Sequence, residues 1–311
     1  MALRVTDHLV ADVAARLGEG GWRYSTRQLY YAVCAEVERP QASTGAAQAG
    51  CGGALVALSI VGGIYASIYV GLVVIPGLVI LGMGLQALRA ERNRPTTRAL
   101  ALGYEEFIRD HLEPLRRSSP GALDGLIGPE VVATTGDRTP TPEAPLVVCD
   151  RAESAAVLGS ALEVAGLGAR VVDEASAPTR PEGRDRVYAL HDADPRGCGL
   201  AGRLRAAGAA EVVDVGLRPG HIQGRRIQVL EGAPVIVPAA VGELLSPDEI
   251  IWLAEGRRVE LATLSPAELA AAVGAAVDPD APARVPPGGA EGIRFSAVDP
   301  VGVGTSRGSS A

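Results

Sequence analysis

From Pro145 onward, short apolar runs alternate with helical stretches, and this alternation leaves few folds open. "PLVVCD" (145–150) reads as a buried strand, and "AESAAVLGSALEVAGLG" (152–168) as a helix closed by glycine. "ARVVD" (169–173) and "DRVYALHD" (185–192) are two more strands; "RGCGLAGRLRAAGA" (196–209) is a helix and "AEVVDVGL" (210–217) a further strand. Strands alternating with helices at this spacing predict an α/β domain with a parallel sheet covered on both faces. In such sheets ligands bind at the carboxyl ends of the strands.

Carboxylates collect at those ends. Asp150 closes the first strand, and "LHDADPRGCGL" (190–200) puts Asp192 and Asp194 one residue apart after a later one. In extended geometry residues two apart project to one side, and two such carboxylates repel unless a positive charge lies between them. An all-oxygen donor set without His or Cys at metal spacing favours Mg²⁺. The plainer alternative is a strand-end turn with an Asx hydrogen bond before Pro195. His191, just ahead of the pair, is either a group behind the acids or a solvated loop residue. The run after the first strand, "VVCDRAESAAV", has neither GxGxxG nor GxxxxGK[ST], so no nucleotide cofactor is indicated.

A second feature is the stretch from Pro40 to Leu88, which carries no charge. It is nearly twice the ~20 apolar residues of one spanning helix, so the pattern predicts two short spans joined by a turn near Val70–Gly71 or Pro76–Gly77. Arg39 precedes it, and Arg89, Arg92, Arg94 and Arg98 follow. Basic residues on both flanks predict a transmembrane hairpin over 51–88, with both soluble parts cytoplasmic. The alternative is a buried helical hairpin of a soluble protein.

Around this insert lies helical sequence. "YSTRQLYYAVCAEVE" (24–38) predicts a helix capped by Ser25 or Thr26, with Leu29, Ala32 and Val33 on its apolar face. With the amphipathic segment 5–17 before it, it suggests a helix-turn-helix or winged-helix-like unit. "TTRALALGYEEFIRDHLEPLRR" (96–117) adds another amphipathic helix. Tyr30 and Tyr31 are adjacent, so on a helix one can pack while the other faces out. Either they are ordinary packing aromatics, or one hydroxyl attacks a phosphodiester, which needs a cation or base to stabilise phenolate.

Charge and cysteine content narrow the function. All 29 basic residues are arginine against 36 acids, a net −7 that argues against non-specific nucleic-acid binding by the whole surface. Residues 1–120 hold 12 arginines and 10 acids, so phosphate contact is expected there, through Arg23, Arg27, Arg92, Arg94 and Arg98. The four cysteines form no CxxC pair, so a zinc site or disulfide framework is not expected.

Taken in order, "STRQLYYAV", "LVVCD", "HDADPRGCGLAGRL", "DVGLRPGHI" and "RRVELATLSPAEL" resemble the A subunit of DNA topoisomerase VI, the meiotic double-strand-break proteins and the Toprim subunits of some defence nucleases. The resemblance covers roughly 20–40 and 145–275. It implies a Toprim domain, Tyr31 as nucleophile with Arg27 as its basic neighbour, and Mg²⁺ held by Asp192 and Asp194. The family's first Toprim strand ends in Glu. Here Cys149 stands at that position, and Asp150 or Glu153 is the expected replacement.

The resulting expectation is an α/β, parallel-sheet Toprim-like domain (146–277) plus an N-terminal helical winged-helix-like unit (1–50 and 89–119) interrupted by the transmembrane hairpin (51–88). A linker (120–145) and a disordered tail (278–311) complete it. The expected protein is tethered at the cell membrane, binds DNA as a homodimer with an ATPase partner subunit, and cleaves strands through Tyr31 with Mg²⁺. A non-catalytic Toprim-fold scaffold at the membrane and a metal-dependent nuclease using water are the alternatives.

Overall fold

Leu146–Cys149 and Val187–Leu190 are buried at every position, and their alternation decides the architecture. In the computed structural model, which describes residues 5–38, 102–128, 144–178, 186–222 and 227–277, Val147, Cys149, Tyr188 and Leu190 enter one apolar core. Leu146, Val148, Val187 and Ala189 enter another on the opposite face of the sheet. Both faces are covered, as a parallel sheet requires. The strands are β1 (Leu146–Cys149), β2 (Arg170–Asp173), β3 (Val187–Leu190) and β4 (Val212–Asp214), all parallel in the order β2-β1-β3-β4.

The crossovers are helical. With the helices numbered in chain order after the four N-terminal ones below, α5 (Ala152–Val164) links β1 to β2 and packs Leu158, Ala161 and Leu162 into the larger core. A short 3₁₀ turn (Gly197–Gly199) leads into α6 (Leu200–Ala206), which buries Leu200 and Ala201 on the other face. A two-stranded ribbon, β5 (Leu230–Glu231) with β6 (Arg257–Arg258), is antiparallel, and α7 (Pro247–Ala254) lies between them in sequence. Ser246 and Glu249 form a capping box at the start of α7. The last helix, α8 (Pro266–Val277), packs Leu269, Ala270 and Val273 beside α5.

The N-terminal helices form a third core. Thr6 caps α1 (Asp7–Gly18). Ser25 and Gln28 form a reciprocal cap at α2 (Thr26–Val37), with Ser25 N–H donating to Gln28 Oε1 and Gln28 N–H to Ser25 Oγ. Val10, Val13, Leu29 and Val33 meet Phe107 and Leu112. The latter two come from one continuous stretch made of α3 (Tyr104–Phe107), a π-helical turn (Ile108–Leu112) and α4 (Glu113–Ser118). Pro114 lacks the N–H that a regular helix would direct at the previous turn, and the widened turn falls just before it. All these elements belong to one compact unit.

The strand and crossover readings from 145 to 217 agree with this sheet. The expected transmembrane hairpin finds no support among the described helices. The longest described helix, α5, has 13 residues, about 20 Å at ~1.5 Å per residue against a ~30 Å hydrocarbon core. Among the described residues no helix is long and apolar enough to cross a membrane. Membrane tethering and the cell-membrane location are corrected accordingly; 51–88 itself lies outside the described residues. So do 278–311, where a disordered tail was expected, and Arg92, Arg94 and Arg98 of the expected phosphate-facing surface. No wing strands accompany α1 and α2 among the described residues. The only pairing there is an isolated parallel bridge, Tyr24 with Leu126.

Candidate functional site

The rim of the sheet gathers four carboxylates around one guanidinium. β1 ends at Cys149, whose side chain enters the apolar core, so the next residue, Asp150, is the first to reach the rim. Asp150 Oδ2 accepts from the Asp192 N–H at 3.0 Å, and Asp150 Oδ1 has no hydrogen-bond partner among the described residues. Beyond β3, Asp192 is 2 % exposed; its Oδ1 accepts from the Leu261 N–H at 2.6 Å. Its Oδ2 lies 2.8 Å from Arg151 Nε, an ion-pair distance without the alignment of a hydrogen bond. Arg151 Nη2 is 3.8 Å from Asp194 Oδ2 and 3.9 Å from Glu260 Oε1.

The positive charge between Asp192 and Asp194 is therefore Arg151. Asp194 takes part in both patterns that the sequence allowed. One oxygen accepts from the Gly197 N–H at 2.6 Å, the Asx turn, and the other faces the guanidinium. Gly197 is required there, because a Cβ would run into the Asp192 carbonyl.

Burial sets the electrostatics. It is the largest influence on Asp192, whose carboxyl is pushed up to about 7; the Asp150 charge acts in the same direction and Arg151 opposes. Burial also raises Asp150 against the Asp192 N–H bond and the neighbouring positive charges. Two buried carboxylates this close favour holding a proton between them.

Behind the rim is a fully buried histidine. His191 Nε2 lies 2.9 Å from Asp214 Oδ1, and Nδ1 lies 2.8 Å from the Asp192 carbonyl oxygen. Both partners are acceptors, so both ring nitrogens are placed to donate, the pattern of an imidazolium. Burial, the largest single influence, opposes that charge, but Asp214 together with the Asp192 carbonyl and Asp150 holds the His191 pKa above its ordinary value. Asp214 resists its own burial through His191, Arg218 and the Gly216 N–H, and is lowered to about 2. Gly216 lies flat against the ring; any Cβ there would collide with it.

α2 reaches this cluster from the other side. Arg27 Nη1 is 3.0 Å from Glu260 Oε2, its Nε is 3.6 Å from Glu153 Oε2, and its guanidinium stacks 4.8 Å from the Tyr104 ring centre. Gln28 Nε2 donates to the Leu264 carbonyl at 2.8 Å. Tyr31 is 4 % exposed beside Glu260. Burial raises its phenol well above the ordinary value and Glu260 adds to this, so phenolate is disfavoured despite Arg27. Neither tyrosine faces out: Tyr30 is also 4 % exposed and donates to the Leu102 carbonyl at 2.6 Å.

The rim thus brings together Asp150, Asp192, Asp194, Glu153 and Arg27, with Tyr31 at its edge. Sequence reasoning missed Arg151 and Glu260, which tie the cluster together, and Asp214. Arg151 had a signal, since it directly follows the strand-end Asp150. Glu260 lies in "RRVELATL", noticed as a segment but not as a carboxylate donor.

Comparison with protein-family models, curated proteins and solved structures finds no match to this chain. Membership in the topoisomerase VI A or Toprim families is corrected on that ground. The motif that suggested it has a local cause. In D-x-D-P-x-G the first Asp caps the 3₁₀ turn Leu261–Thr263, the second closes a turn, and the Gly makes room for a carbonyl. Nor, among the described residues, is any group of three or more His, Cys, Asp or Glu side chains placed to hold a metal ion. Membrane-tethered strand cleavage through Tyr31, with its nuclease and scaffold alternatives, is therefore withdrawn. Nothing here supports the DNA, homodimer or ATPase partners.

Proposed function

We propose that this chain is a divalent-cation-responsive binding protein whose rim exchanges an internal arginine for Mg²⁺. One observation carries this reading: Asp150 Oδ1, on a side chain only 8 % exposed, has no hydrogen-bond partner among the described residues, while Asp192 beside it depends on Arg151. An unsatisfied buried carboxylate oxygen is costly, and a hard cation is the ligand that suits oxygen donors. Asp150, Asp192 and Asp194 are oxygen donors of the kind Mg²⁺ takes, although as placed here they form no metal-holding group. Their present arrangement is closed by Arg151, which has to leave Asp192 before a cation is held. Bound there, Mg²⁺ would supply the charge that Arg151 supplies in this state.

The exchange has a receiver. One Glu260 oxygen faces Arg151 and the other Arg27 of α2, so loss of Arg151 from the cluster changes how α2 is held. Arg151 also lines an open cleft of ≈ 710 Å³ with Asp150, Asp173, Glu174, Arg196 and Arg203, which leaves room for the guanidinium once it is freed. The test is calorimetric titration of the full chain with Mg²⁺ and Mn²⁺. Binding in the wild type, tighter binding in Arg151→Gln and none in Asp192→Asn is the expected pattern. Absence of binding in all three leaves the cluster a purely structural clamp between α2 and the sheet.

A further inference from the structure

Away from the rim acids' buried side lies an open groove of ≈ 1130 Å³. Its apolar lining comes from Pro195, Ala206, Val235, Pro238, Val241 and Leu244. This lining includes part of "GAPVIVP" (232–238), where Ile236 is 94 % exposed and Val235 43 %. A run of this kind, bracketed by prolines and turned outward, is unusual on a surface with nothing to cover it.

Charge says what covers it. The whole chain carries net −7, yet the groove is lined by five arginines (196, 203, 205, 257 and 258) against two acids, Asp194 and Glu243, a balance of +3. Arg196, Arg203 and Arg257 have acidic partners in Glu174 and Glu255, and Arg205 donates to the Val212 carbonyl. Arg258 is exposed and has no ion-pair partner among the described residues. Backbone geometry says what shape fits. Residues 230–235 run antiparallel to 254–258, through β5–β6, the Gly232 N–H to the Gly256 carbonyl and the Val235 N–H to the Ala254 carbonyl. Among the described residues no second strand pairs with β5, which leaves a strand edge of the type that extended peptides extend.

We infer that this groove binds an extended peptide segment of a partner protein in which apolar residues alternate with acidic ones. The apolar side chains lie against Val235, Ile236 and Leu244, and the acids meet Arg258 and its neighbours. The groove includes Asp194 of the rim but not Asp150, Asp192 or Glu260, and the contacts proposed for the peptide, Val235, Ile236, Leu244 and Arg258, are not rim residues.

The experiment uses fluorescence anisotropy on the full chain with two labelled synthetic peptides, one alternating valine with aspartate and one alternating valine with lysine. The aspartate peptide is expected to bind, more weakly as salt rises, and the lysine peptide not to bind. Ile236→Asp and Arg258→Glu should each weaken binding by about tenfold or more. Ile236 is exposed, so its variant should keep the wild-type thermal melt and the same Mg²⁺ titration. Equal binding of the two peptides, no binding of either, or unchanged binding in Ile236→Asp overturns the proposal. So does concentration-dependent self-association that Ile236→Asp abolishes, which would make a second copy the occupant.

Discussion

Asp192 is the residue on which most of the rim converges, and its protonation gives a signed prediction. Unfolded, an aspartate titrates near about 3.9; folded, burial and Asp150 push it up to about 7. Between those values the folded chain keeps a proton that the unfolded chain has lost, so this group makes stability fall as pH rises through that window. Asp192→Asn removes that contribution, and denaturant melts at a series of pH values should show a flatter profile from about pH 4 to 7. An unchanged slope contradicts the assignment. Asp214 acts in the opposite sense. Lowered to about 2 beside His191, it contributes stability above the ordinary carboxylate range that is lost as pH falls from about 4 toward 2. Gly216→Ala should cost about 1–3 kcal/mol, because the added methyl collides with the buried imidazole; a melt indistinguishable from wild type would refute the close packing. At this scale the sequence was half legible. The strand-end positions of Asp150 and Asp192 followed from periodicity, whereas the burial of His191 did not, because it depends on Asp214 on the neighbouring strand, 23 residues away.

At the scale of elements, α2 is fastened to the rim by polar contacts more than by its length. Arg27 to Glu260 and Glu153, Gln28 to the Leu264 carbonyl, and Tyr31 beside Glu260 all come from its first two turns. Arg27→Ala should therefore speed amide hydrogen exchange in α2 relative to β1, with exchange in β1 unchanged. Tyr31→Phe should cost about 1 kcal/mol, the worth of one hydrogen bond, in an equilibrium melt. The sheet strands were legible because β1 and β3 are apolar at every position and bounded by Asp, Gly and Pro. The tyrosine pair was not. A helix with one buried face would leave one ring outside, but α2 is enclosed by Tyr104 and Phe107 on one side and the rim on the other. Arg27, whose side chain stays partly exposed, pairs with Glu260 and Glu153 at the rim, contacts that its sequence neighbourhood did not indicate.

For the molecule as a whole, the central claim is that an arginine occupies the rim in this state and a divalent cation replaces it. The charge pattern of the sequence offered a positive charge between Asp192 and Asp194 as one reading beside a plain Asx turn. It did not show that the chain supplies that charge itself, since Arg151 and the two acids meet only once β1 and β3 pair. The apolar stretch 40–88, which suggested a membrane span, lies outside the described residues. The most direct measurement is isothermal titration of Mg²⁺ into the full chain and its Arg151→Gln variant. The account predicts binding in both, tighter in the variant by about tenfold or more, as expected when a competing internal cation is removed. Equal affinity in the two, or no binding in either, would contradict it.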